Sequence, residues 1–390
     1  MTGSRGWFER HPALTLAFVA GVGVLLLLLA AEFVLGRLDP ADRGLLGAAP
    51  PGRVMTFREY PLGKRLRTRP AKASYVYPGG LEDRDYWIEI DSNGFLVPSR
   101  VHDRADLDVV FLGGSTTESM FVTPEVRFPY LVGRMLEDSL GVRVNSWNGG
   151  RSGNLVLHGV LAFVGKVAPM RPRYVVLMEN VNDLAAFHHL GSYWATGSTR
   201  PILLPPSDEN PASAGPVRRV KNATRALFPH LYIALDRTTR ALWRGPVDEF
   251  AATRGKPSAW DSVHAETSYR RSLESFVALA RTWGSTPVLM TQASRFSATP
   301  DPEVVADWSP SLQAVTFDQF RLRHARFNDI VREVAAAMAV PLVDLERLVA
   351  TNRSVMYDAV HYTDAGSRLV APLIARELLA QERRRAAATP

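Results

Sequence analysis

Phe111-Leu-Gly-Gly-Ser-Thr-Thr-Glu-Ser119 ends an apolar run, Val109 to Leu112, with two glycines and then a serine. The run has the character of a buried strand, and the glycine pair that of a tight turn lifting the Ser115 hydroxyl out of the strand end. A hydroxyl is a poor nucleophile near neutral pH unless an imidazole takes its proton. That imidazole in turn needs a carboxylate to hold its tautomer. Far along the chain, Asp358-Ala-Val-His361 offers both groups.

Working outward, apolar β-rich runs alternate with stretches of helical period from Asp108 onward, the pattern of a parallel α/β sheet. Strands are expected at Val109 to Leu112, Val142 to Trp147, Tyr174 to Met178, Pro287 to Thr291 and Pro341 to Asp344. Helices are expected from Phe128 to Leu140, around Phe276 to Trp283, around Phe327 to Val334, and from a cap at Thr363-Asp364 toward the basic end at Arg383-Arg384-Arg385. Asn148-Gly-Gly-Arg-Ser-Gly153 follows the second strand and Glu179-Asn-Val-Asn-Asp183 the third. Ligands of such sheets bind beyond the carboxyl ends of the strands, so Ser115, Gly150, Asn182 and the Asp358/His361 pair are expected along one edge. Acyl-transfer chemistry gives them roles. Ser115 would attack an ester carbonyl, His361 would shuttle the proton, and Asp358 would orient the imidazole. The backbone N–H groups of Ser115 and Gly150 and the side-chain amide of Asn182 are the expected oxyanion donors.

These four blocks, with Ser115, Gly150, Asn182 and His361 in that order and Asp358 three residues before the histidine, resemble the SGNH (GDSL-type) hydrolase family over roughly Asp108 to Leu379. The resemblance implies a flavodoxin-like three-layer α/β/α fold with a five-stranded parallel sheet. It also implies serine esterase or lipase chemistry, often on acylated carbohydrates, with no cofactor or metal; some relatives are acyltransferases. Two positions depart from the family pattern. Gly114 stands where the family has aspartate, and Asn180 stands where the third block has glycine. If that turn needs a positive φ, asparagine tolerates it better than most residues.

At the other end, Ala13 to Ala31 is uncharged and almost wholly apolar, long enough at helical rise to cross a hydrocarbon core. No small-x-small cleavage site follows closely, which favours an uncleaved anchor over a signal peptide. Arginines flank the run on both sides, so charge does not settle its orientation. A short N-terminal stub before a large domain fits a single-pass membrane protein with its catalytic domain outside the cytoplasm. With 46% hydrophobic and 22% charged residues the chain is not of disordered composition. The net charge of +7 comes mainly from arginine and clusters in no nucleic-acid-binding motif, so nucleic acid is not an expected partner.

The expected organisation is a stub over 1–12, the anchor over 13–36, a Gly/Pro/Ala-containing linker over 37–52, a small β-containing element over 53–100, and a hydrolase-like domain over 101–386. An insertion at about 190–262 is expected to act as a lid or cap. Arg53 to Arg69 reads as a solvated basic face, His188-His189 as lid or surface residues, Arg295 as a surface cation, Glu118 as a helix cap and Asp183 as a loop brace. The expected partner is an acyl-ester substrate, carbohydrate or lipid-linked. Hydrolysis by Ser115 is the leading function; the alternatives are polysaccharide O-acetyltransfer by the same triad and a non-catalytic envelope assembly module that keeps the fold.

Overall fold

The computed structural model describes residues 11–38, 54–55, 57–70, 75–78, 80–195, 202–204, short pieces between 223 and 235, 256, 258–312 and 315–388. Most of the expected linker, the Pro205 to Pro216 part of the insertion and much of its Val217 to Trp243 part lie outside the described residues.

The chain forms two compact units. The first, residues 1–54 with 204–249, contains helix α1 (Pro12–Leu38). Its apolar part is long enough to cross a membrane, with a mean hydropathy of 2.7 and none of that window buried. Near the end of α1 the Glu32 carboxylate accepts the backbone N–H groups of His230 and Leu231, both at 2.8 Å.

The second unit, residues 55–203 with 250–390, holds the sheet. A short antiparallel hairpin, β1 (Arg65–Thr68) with β2 (Tyr86–Glu89), precedes it and belongs to the same unit. Five parallel strands follow: β3 (Leu107–Gly113), β4 (Val144–Gly150), β5 (Tyr174–Met178), β6 (Thr286–Met290) and β7 (Leu342–Val343). Their spatial order is β4-β3-β5-β6-β7, the flavodoxin-like order, in which the chain leaves β3 to one side and returns to the other. The crevice that results opens at the carboxyl ends of β3 and β5.

Strand alternation builds the layers. Val110 and Leu112 of β3, with Val175 and Leu177 of β5, share one apolar cluster with α4 (Val156–Ala162), α5 (Val181–Leu190), α6 (Ser262–Thr282), α7 (Pro302–Leu312) and α8 (Phe317–Ala337). Val109 and Phe111, with Tyr174, Val176 and Met178, face α3 (Phe128–Leu140) and α9 (Asp364–Ala388) on the other side. All of these strand residues are at least 98% buried, as expected for parallel strands covered on both faces. Local signals agree with the packing. Asp261 caps α6 by accepting His264 N–H, Thr316 and Gln319 form a reciprocal capping box on α8, and Gly141 at φ 66° closes α3.

Arg127 ties the hairpin region to the sheet domain. The side chain is 2% exposed and donates to three backbone oxygens, Ser119 O at 3.2 Å, Val97 O at 3.0 Å and Trp87 O at 3.3 Å. Burial lowers its pKa to about 10, which leaves it charged at neutral pH. Replacing Arg127 with leucine strips these oxygens of their donor, so unfolding free energy should fall by about 2–4 kcal/mol. Urea denaturation of the purified protein measures this, and a change under about 0.5 kcal/mol would contradict it.

Candidate active site

Ser115 is the first residue of α2 (Ser115–Glu118), two residues past the end of β3. Asp358 and His361 lie on the loop between β7 and α9. The fold brings them together. His361 Nε2 lies 2.7 Å from Ser115 Oγ, and His361 Nδ1 lies 2.7 Å from Asp358 Oδ2. With the Nδ1–H donated to the carboxylate, Nε2 is left to accept from the serine. The other carboxylate oxygen accepts the backbone N–H groups of Val360 at 3.0 Å and His361 at 2.8 Å, a local turn that locks Asp358 to the backbone of its own partner. Tyr357 stacks on the imidazole, with centroids 5.5 Å apart and planes within 10°.

The charges follow from this geometry. Burial opposes ionisation of Asp358, but the His361 imidazole and two N–H donors outweigh it and lower its pKa. Burial likewise opposes protonation of His361, yet the Asp358 carboxylate prevails and raises the imidazole above its ordinary 6.5. The imidazole keeps 24% of its side-chain surface exposed, against 10% for the carboxylate, so the proton-accepting end of the relay is reachable and the orienting end is sheltered.

Asn182, the second residue of α5, approaches the same turn. A Cβ at Gly114 would stand 2.3 Å from Asn182 Nδ2 and 3.2 Å from Glu179 Oε2. Gly114, one of the two departures from the family pattern, thus leaves the space that the Asn182 amide occupies. Asn180, the other departure, does not adopt positive φ; its φ is −167°. Its buried side chain instead donates to His324 O at 3.0 Å and Asn328 Oδ1 at 2.9 Å.

Gly150 differs from expectation. Its N–H donates to Asn148 Oδ1 at 3.0 Å and is therefore already engaged as an oxyanion donor would not be. What it contributes is a close approach, since a Cβ there would lie 2.3 Å from the backbone nitrogen of Glu118. The next turn, Arg151 to Asn154, also abuts the nucleophile turn. Asn154 O would be 3.6 Å from a Cβ on Gly114, and Gly153 has φ 77°. Arg58 fixes this turn by donating to Gly153 O at 2.7 Å and Ser152 O at 3.2 Å.

Several lesser expectations change with burial. Glu118 is fully buried and accepts from Tyr60 Oη and Ser152 Oγ, bracing α2 against its surroundings instead of capping it. Arg58 and Tyr60 come from the stretch read as a solvated basic face, where spacing alone carried no sign of them. Arg295 is 5% exposed. Its guanidinium pairs with Asp301 and donates to Met356 O at 3.4 Å, so it supports the loop carrying Asp358 and is not a surface cation. His188 and His189 are buried, with His188 between Leu312 O and Ser258 Oγ at 2.9 Å each. Asp183, expected to brace a loop, lies within α5 and accepts Val156 N–H at 3.0 Å and Tyr193 Oη–H at 2.6 Å, which ties α5 to the start of α4. Among the described residues no three His, Asp or Glu side chains are grouped so as to hold a metal ion.

Comparison with known proteins bears on this arrangement. Residues 111–369, well over half the chain, match the GDSL-like Lipase/Acylhydrolase family. No curated protein matches significantly. Among solved structures, the chain is similar to Axe2, an acetylxylan esterase from Geobacillus stearothermophilus, at 14% identity and a TM-score of 0.41, over 70% of this chain and 94% of that one. It is similar to LAE5, an alpha/beta hydrolase enzyme from the metagenome of Lake Arreo, at 16% and 0.40, over 70% and 95%. It is also similar to the lipase/acylhydrolase from Enterococcus faecalis, at 16% and 0.39, over 70% and 96%. On the family match, the chain belongs to the GDSL-like lipase/acylhydrolases, serine hydrolases that act on esters.

Proposed function

We propose that this protein is a membrane-anchored serine esterase that cleaves an acyl ester through an acyl-enzyme on Ser115. The observation that carries the reading is the unbroken relay of two 2.7 Å contacts from Ser115 Oγ through His361 to Asp358. Ser115 Oγ bonds to the ester carbonyl carbon while its proton passes to His361 Nε2. His361 then protonates the departing alkoxide as the C–O bond breaks. Water attacks the acyl-enzyme in the same way, returning the proton to Ser115 and releasing the carboxylic acid. Asp358 stays ionised and holds the imidazole through both halves. The oxyanion donors are the Ser115 backbone N–H and the Asn182 amide; the N–H of Gly150, the third expected donor, is given to Asn148 Oδ1.

The substrate is read as an acyl ester, acetyl among the acyl groups it could carry, of a carbohydrate or lipid-linked alcohol. Helix α1, as a single-pass anchor, would hold the domain at the outer membrane face, where such substrates lie. The domain plan follows the sequence: anchor, linker, small β-element, and a hydrolase domain carrying the insertion.

Turnover of p-nitrophenyl acetate by the detergent-solubilised protein tests the nucleophile. Ser115→Ala should lower kcat by about 10^4-fold or more, and a variant within tenfold of the parent would falsify the assignment.

The pH dependence has a definite sign. His361 acts as base only when neutral, and its pKa is raised, so kcat/KM should climb with pH through a midpoint above 6.5. In Asp358→Asn the carboxylate that raises this pKa is gone. The midpoint should move to lower pH while the plateau falls by about 10^3–10^4-fold. A midpoint that stays put in a pH–rate profile of the variant contradicts the coupling.

Gly114→Ala should displace the Asn182 amide and cost about 10^2–10^3-fold in kcat, the range for one oxyanion donor. Unchanged steady-state kinetics would mean that Asn182 has no part in the reaction.

A further inference from the structure

The end of β6 contributes no group to the relay, yet it carries a buried polar hub. Gln292, 4% exposed, lies two residues past β6 and uses both ends of its carboxamide. Its Nε2 donates to Thr116 Oγ1 at 2.9 Å, and Thr116 Oγ1–H donates onward to Val360 O at 3.2 Å. Its Oε1 accepts the N–H of Val181, the first residue of α5, at 3.0 Å. Thr116 adjoins Ser115, Val181 adjoins Asn182, and Val360 adjoins His361. One side chain therefore links the three segments that bear the reacting groups.

The direction of that side chain is itself fixed. Asn328 of α8, fully buried, clamps the Gln292 peptide by accepting its N–H at 3.0 Å and donating to its carbonyl at 3.0 Å. The same Asn328 Oδ1 accepts from Asn180 Nδ2 at 2.9 Å, which adds a second tie to the residue before α5. His324, facing Gln292 Oε1 at 3.4 Å, has its pKa lowered to about 3 by burial and stays neutral. The hub thus holds no titrating charge near neutral pH. A buried network of this kind rigidifies what it joins, because breaking one link leaves a buried group unpaired.

We infer that Gln292, held by Asn328 and acting through Thr116, is a positioning residue that sets the register of the Ser115, Asn182 and His361 segments. The inference rests on Ser115 being the nucleophile. Glutamine suits the task because one donor and one acceptor, at the end of a reach of three side-chain bonds, meet a hydroxyl on one segment and a backbone N–H on another. Methionine would fill the same volume with neither.

Kinetics of p-nitrophenyl acetate hydrolysis, normalised to active sites by the p-nitrophenol burst, test this in the full chain. Gln292→Met and Thr116→Val should each lower kcat by about 10–100-fold with KM within about twofold, as for a small misplacement of reacting groups. Thr116→Ser, which restores the bridging hydroxyl, should stay within about threefold of the parent. The double variant Thr116→Val/Gln292→Met should be little worse than the poorer single one, since both break one chain of bonds. If Gln292→Met fails to fold, the Thr116→Val and Thr116→Ser pair carries the test alone. Parental kcat in Thr116→Val, or a loss seen only in KM or in the active fraction, overturns the inference while leaving the nucleophile intact. Activity retained by Ser115→Ala instead removes the reading beneath it.

Discussion

The hydrogen bond between Ser115 Oγ and His361 Nε2 joins residues 246 positions apart in the chain. Closing so long a loop is not held by local structure, and the contact exists only because the strand before Ser115 is an inner strand of a sheet whose last strand precedes the His361 loop. The order β4-β3-β5-β6-β7 puts the chain's change of direction beside β3, and the crevice that this opens is where Ser115 and Asn182 meet. Sheet topology, two apolar layers and the turns at the strand ends are in this sense conditions for one 2.7 Å contact.

Close approach is the second requirement, and glycine meets it at two points. Gly114 makes room for the Asn182 amide, and Gly150 lets β4 lie against the backbone of α2. Around them several polar side chains are paired within the protein. Glu118 is braced by Tyr60 and Ser152, the following turn by Arg58, and the three reactive segments by Gln292 and Asn328. The outcome is a relay whose imidazole is more exposed than its carboxylate, an arrangement that keeps the Asp358 charge strongly felt by His361.

Much of this was legible in the sequence, for identifiable reasons. Tyr174 to Met178 is found at the bounds that its apolar run predicts, and β3 extends its predicted run by a residue or two at each end, because parallel strands buried on both faces leave an unbroken apolar signature. The order of the Ser115, Asn182 and Asp358/His361 blocks survives as spatial convergence. What was not legible depends on contacts between distant segments. The engagement of Gly150 N–H by Asn148, the partial burial of Arg58 and full burial of Arg295, and the extended φ of Asn180 follow from partners that no local pattern names. Gln292 left no motif at all: its place in the account comes from lying at the end of an inner strand, where the Thr116, Val181 and Val360 segments converge. The histidine pair at 188 and 189 shows the reverse error, polar residues taken for surface although helix packing buries them.

The central claim is that this geometry makes one serine, Ser115, reactive above all others in the chain. Peptide mapping by tandem mass spectrometry after brief exposure of the protein to diisopropyl fluorophosphate measures that directly. A single diisopropylphosphoryl adduct on the peptide containing Ser115, formed with loss of fluoride, is expected. Adducts spread over several serines, or one located elsewhere with Ser115 unmodified, would contradict it.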